Sequence, residues 1–178
     1  MQKRVLSFWF GGTEPEQMAR WWDGSPEADD AIRLQFGSLL QDAVDGKLAG
    51  WVDEGPQSCL ALIITLDQFS LQVYRGEGRG YDINAMALPI AREAIARKYD
   101  ADMSADEKLF SYLPFMHAED LAVQKESVEL FRGTDMFGFA LKHMEPLEKY
   151  GRFPGRNKAH GRVTTPAELE YLANGGFF

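Results

Sequence analysis

Residues 58–75, SCLALIITLDQFSLQVYR, decide how the rest of the chain is read. They open on an almost unbroken apolar run, Cys59 to Leu66, which by length alone suits a buried strand as well as a helix. The stripe continues as Leu62, Leu66, Phe69 and Val73, at helical steps and well past strand length, so the segment is expected to be a central buried helix. Asp67 lies in it, one turn from Ile63, Ile64 and Leu71. A carboxylate there loses its hydration and needs a partner, for which an arginine is the economical choice.

Working outward, the flanking segments are also helical. Phe8, Trp9, Phe10, Trp21 and Trp22 around Gly11-Gly12 predict two short helices anchored by aromatic burial. Ser25-Pro26-Glu27 starts a helix that runs to between Gly46 and Gly50. After the central helix, Gly76 to Gly80 reads as a flexible turn; a phosphate loop would need a preceding strand and a Lys-Ser/Thr pair. Asp82 is expected to cap a helix to Tyr99 with a kink at Pro89, and Ser104 to Glu107 forms a capping box for a short helix that Pro114 closes. Helices are then expected over His117–Phe131, from Thr134 to Tyr150, and from the Thr165 to Glu168 capping box to Asn174. No strand is convincing. The expectation is one all-α domain over residues 1–178, with about seven to nine helices pairing as antiparallel hairpins.

Composition narrows the function. The chain carries a net charge of −8 and a pI near 4.9, which opposes binding to nucleic acid or an anionic membrane surface. No apolar run is long enough to span a bilayer, and the single Cys59 reads as a small core residue in a reducing, cytoplasmic setting. Against this acidic background, Lys142 to Arg162 holds six Lys and Arg with two Glu, together with His143 and His160. Gly151, Pro154 and Gly155 prevent a continuous helix there. The segment therefore presents Arg152, Arg156 and Arg162 from a shaped loop, able either to hold an anion or to staple the loop to nearby carboxylates.

The separated motifs resemble those of a bacterial family, domain of unknown function 924, classed with tetratricopeptide-like all-α proteins. The resemblance rests on Phe8-Trp9-Phe10, on Leu66-Asp67-Gln68-Phe69 with Tyr74-Arg75-Gly76, and on Leu113 to Glu119 with Gln124. It continues through His143, Gly151-Arg152-Phe153-Pro154, Arg156-Asn157, Gly161-Arg162 and Thr165. It implies a tetratricopeptide-like array of helix pairs and no particular activity. The chain departs from the family pattern at Ser70-Leu71, Asn84 and Gly155, where Pro-Arg, Asp and His are usual.

Three readings follow. In the first, a binding module holds a small carboxylate, phosphate or peptide through Arg152, Arg156, Asn157 and Arg162, with Gln124 and the inward-facing His117 orienting it. In the second, a hydrolase uses His117 or His143 as general base, Asp67 or Glu119 holds the imidazole, and an arginine faces developing negative charge. In the third, the same residues form a satisfied buried network. No spacing suggests a metal site, and no cofactor is implied. Two of Asp67, His117 and His143 within hydrogen-bond reach in an open pocket would favour the catalytic reading.

Overall fold

The structure is a computed structural model that describes residues 1–22 and 24–176. Its described residues contain helices and turns with no strand. In chain order the helices are α1 (Gln2–Phe10), α2 (Glu14–Trp22), α3 (Pro26–Val44), α4 (Pro56–Ile64), α5 (Ser70–Val73), α6 (Gly78–Ala85) and α7 (Ala87–Ala96). They continue as α8 (Ala105–Met116), α9 (Leu121–Leu130), α10 (Phe137–Tyr150) and α11 (Pro166–Ala173). With 56–73 taken as one rod and 78–96 as one bent helix, the described residues hold nine helices.

Local sequence explains most of the boundaries. The Ser25 hydroxyl accepts from the Ala28 amide at 3.2 Å, and Pro26 occupies the first turn of α3. Ser104 and Glu107 close a full capping box on α8, as do Thr165 and Glu168 on α11. Gly151, at φ +69°, ends α10 in the left-handed conformation that suits glycine.

The rod of residues 56–73 runs through the core. Cys59 to Ser70 are all buried, and Phe69 stacks on Phe36 at 4.8 Å while meeting Trp9 edge-on at 5.6 Å. Trp9 and Trp21 converge on Phe110 at 5.3 and 4.8 Å, so α1, α2 and α8 share one aromatic cluster. Within the rod, Thr65–Phe69 forms a π turn, where a wider hydrogen-bonded ring admits an extra residue. That turn shifts the helical register locally, so Leu66, Asp67, Gln68 and Phe69 are all buried, where a plain α-helix would face some of them outward.

Several expected boundaries move. Asp82 lies inside α6, which starts at Gly78, so of the Gly76 to Gly80 stretch only Gly76, at φ +77°, and Glu77 lie outside a helix. Gly78 and Gly80 are helical glycines needed for close approach: a Cβ on Gly78 would lie 2.7 Å from the Ala159 carbonyl oxygen, and one on Gly80 would lie 3.0 Å from that of Tyr74. Pro114 sits within α8, which runs two residues further to Met116. His117 caps the C-terminus of α8 and does not begin the next helix, which Asp120 opens by accepting from the Val123 amide at 3.0 Å. Thr134 bonds to Met136 in the turn ahead of α10, whose own N-cap is Met136. Neighbours in sequence pack as neighbours in space, α8 on α9 and α9 on α10. No helix of the described residues is long and apolar enough to cross a membrane.

Candidate functional site

Asp67 is the centre of the polar cluster. It is fully buried, and its partners differ from the expected arginine: Asn84 donates to Oδ1 at 2.6 Å and to the main-chain oxygen at 3.0 Å, His117 Nδ1 lies 2.9 Å from Oδ1, and the Gln68 amide donates to Oδ2. Hydrogen bonds from Asn84, His117 and Gln68 satisfy this carboxylate, and no arginine of the basic loop bonds to it. A carboxylate oxygen only accepts, so the imidazole Nδ1 carries a proton and Nε2 is the nitrogen left to exchange one.

Gln124, buried on α9, bonds to the end of α8. Its amide nitrogen donates to the carbonyls of Met116 and Ala118, each at 2.7 Å, closing acceptors left open where α8 ends. It thereby braces the turn that carries His117, while its buried Oε1 has no hydrogen-bond partner among the described residues. His143, buried on α10, lies beside His117 with ring centroids 6.3 Å apart. Its Nδ1 donates to the Phe139 carbonyl at 2.8 Å. Burial depresses its pKa to about 3, reinforced by the positive charges of His117 and Arg156 and opposed by the Phe139 bond, so the ring is neutral near pH 7.

The three loop arginines divide. Arg152 makes two parallel bonds to Glu168, at 2.7 and 2.9 Å, and holds the Glu168 carboxyl down to about 2. Arg162 pairs with Glu119 at 2.8 Å, and Glu119 also accepts from the Phe153 amide at 2.6 Å. Burial works against ionisation of Glu119, yet these bonds leave its carboxyl below the usual range. Asn157 is fully buried, donates to the Thr164 hydroxyl at 3.4 Å, and so serves the loop's interior. Arg156 differs from both paired arginines. Its guanidinium carbon lies over the rings of Tyr81, at 4.6 Å, and Phe153, at 4.4 Å, and it has no hydrogen-bond or carboxylate partner among the described residues. Burial lowers its pKa, partly countered by the fields of Tyr81, Glu119 and Asp67, but an arginine stays charged.

The fold therefore gathers Asp67, His117, His143 and Arg156, and it assigns Arg152, Arg162, Glu119, Asn157 and Gln124 to holding the surrounding turns. Asn84 and Tyr81 join the cluster without having been singled out as site residues. One signal for Asn84 was available, since it is the polar member of an otherwise small-residue stripe, Gly80, Asn84, Ala87, Ala91 and Ala94, all buried. Nothing local in the sequence marks Tyr81. A separate groove between α10 and α11, lined by Lys142, Glu145, Lys149, Glu170 and Tyr171, contains none of the candidate residues.

Comparison with known proteins bears on the whole chain. Among curated proteins, none matches. A solved structure of a protein of unknown function from Agrobacterium tumefaciens, ATU0120, is similar at 35% sequence identity and a TM-score of 0.90, over 98% of this chain and 97% of that one. Residues 5–176 match the model of a family described as bacterial protein of unknown function (DUF924). With that match spanning nearly every helix described above, the chain belongs to the bacterial family of unknown function DUF924.

Proposed function

We propose that this protein is a binding module for a small carboxylate-bearing molecule or the carboxylate of a peptide, anchored by Arg156. The observation that carries the reading is the state of that guanidinium. Its central carbon lies over the rings of both Tyr81 and Phe153, while its N–H donors have no hydrogen-bond acceptor among the described residues. Its two loop neighbours are neutralised by Glu168 and Glu119. A guanidinium with no carboxylate partner among the described residues suits a carboxylate, whose two oxygens match its fork of N–H donors. The edges of His117 and of the neutral His143 supply further polar contacts. The same reading treats the helix pairs as a tetratricopeptide-like array and places the protein in the cytoplasm, in keeping with its one buried thiol.

The test is calorimetric titration and thermal shift of the full chain with glutarate, acetate and inorganic phosphate. Glutarate should bind, and at about 100 times its dissociation constant it should add about 2.7 kcal/mol of stability. Arg156→Gln should weaken binding by about tenfold to a hundredfold, the worth of hydrogen bonds to a charged donor. Equal responses of the wild type and Arg156→Gln to glutarate would remove the reading. A hydrolase is the second reading, favoured by the 2.9 Å contact between Asp67 and His117.

A further inference from the structure

We propose that Asp67 and His117 form a general-base dyad that hydrolyses an acyl ester of a carboxylate-bearing molecule held on Arg156. This rests on the carboxylate-binding reading for the substrate's position, while the chemistry rests on the dyad alone.

Three observations support it. The first is orientation. Asp67 Oδ1 accepts from His117 Nδ1 at 2.9 Å, which locks the tautomer and leaves the Nε2 lone pair to take a proton. Asp67 is the positioning residue here, and its negative charge lies against the positive charge that the imidazole gains. The second is that Asp67 is itself held: Asn84 bonds to Oδ1 beside His117 and Gln68 bonds to Oδ2, which orient the carboxylate toward the ring. Asn84 Nδ2 also lies 3.3 Å from His117 Nδ1, so the two N–H groups converge on one oxygen. The third is access. The His117 side chain is 16% exposed whereas Asp67 is closed off, the arrangement a base needs to meet water while its orienting group stays dry.

The step balances with water alone. His117 Nε2 takes a proton from water as the oxygen attacks the acyl carbon and forms the new C–O bond. The acyl–oxygen bond of the ester then breaks, and the proton passes from Nε2 to the departing oxygen. One ester and one water become an acid and an alcohol, with no oxidant, reductant or covalent enzyme intermediate.

Among the described residues, the charged and titratable groups around the base are Asp67, His143 and Arg156, with Tyr81, Glu119 and Arg162 acting on Arg156, and His143 is neutral. The experiment uses the full chain and mono-p-nitrophenyl glutarate, with p-nitrophenyl acetate as the neutral control and glutarate binding measured in parallel. Wild-type protein should release nitrophenolate above the buffer rate, rising with pH as one proton is lost, and faster for the anionic ester. His117→Gln and Asp67→Asn should each lower kcat by about 10² or more with KM little changed, the range of general-base assistance. Arg156→Gln should raise KM about tenfold and leave kcat within a few-fold. Nitrogen-15 spectra of the histidines should show His117 protonated at Nδ1, which remains a test if Asp67→Asn fails to fold.

Release at the buffer rate, release unchanged in His117→Gln, or an Nε2-protonated His117 would overturn the dyad. If glutarate binds while the ester is left intact, the dyad falls and the binding reading stands. If cleavage depends on His117 but glutarate neither binds nor competes, the binding reading falls and the dyad stands.

Discussion

Lowering the pH should destabilise this protein through His143 before its carboxylates are protonated. The ring is buried, donates to the Phe139 carbonyl, and faces the charges of His117 and Arg156, so its folded pKa is about 3 against 6.5 for the free side chain. The unfolded chain therefore binds a proton that the folded chain refuses between those values. Stability rises with pH in that window and is lost as pH falls through it. Evaluated for one group, the loss between pH 7.5 and pH 5 is about 2 kcal/mol, approaching a slope of about 1.4 kcal/mol per pH unit. For a chain of this size that corresponds to a fall of about 4 to 8 °C in melting temperature. Urea unfolding of the wild type and His143→Asn at both pH values isolates the effect. Asn keeps an N–H donor near the position of Nδ1 but does not titrate, so its loss should be smaller by about 2 kcal/mol even though its stability at pH 7.5 is lower. Parallel pH dependences for the two proteins would refute the burial argument.

Three further outcomes test the architecture of the site. Gly78→Ala should cost about 1 to 3 kcal/mol in chemical unfolding, because the new Cβ meets the Ala159 backbone at 2.7 Å; Gly50→Ala, which meets nothing within 4 Å, should be nearly neutral. Gln124→Leu should lower stability by about 1 to 3 kcal/mol by leaving the Met116 and Ala118 carbonyls unpaired, and should shift the His117 NMR signals; unchanged signals would separate Gln124 from the site. Thr165→Ala should cost about 1 kcal/mol and speed hydrogen exchange in α11, whose first turn it caps; a change of α10 alone would contradict this.

The all-helical class, the three side-chain caps at Ser25, Ser104 and Thr165, and the burial of Asp67 and His143 were all legible in the chain, because each depends on residues within a few positions of one another. Caps, periodic stripes and glycine C-termini are local properties, and local physics decides them. What failed was local too, but hidden. The stripe through His117 and Leu121 ran across a helix end, since nothing in the spacing shows that Gln124 folds back to bond the carbonyls of Met116 and Ala118. The π turn, one extra residue in an otherwise helical pattern, left no mark on the 58–75 stretch that a periodic reading could detect.

Partner choice belonged to the tertiary structure. Asp67 needed a donor, and the basic loop, 85 or more residues further on, was the plausible source by charge; packing instead delivered Asn84 and His117. The loop's arginines looked equivalent in sequence, yet Arg152 reaches Glu168, Arg162 reaches Glu119, and Arg156 is enclosed by Tyr81 and Phe153. Sequence alone set the supply of charges and the helices that carry them. Which cation was left without a carboxylate depended on the directions in which those helices pack, because an ion pair forms only over a few ångströms and helix packing brings together groups far apart in the chain.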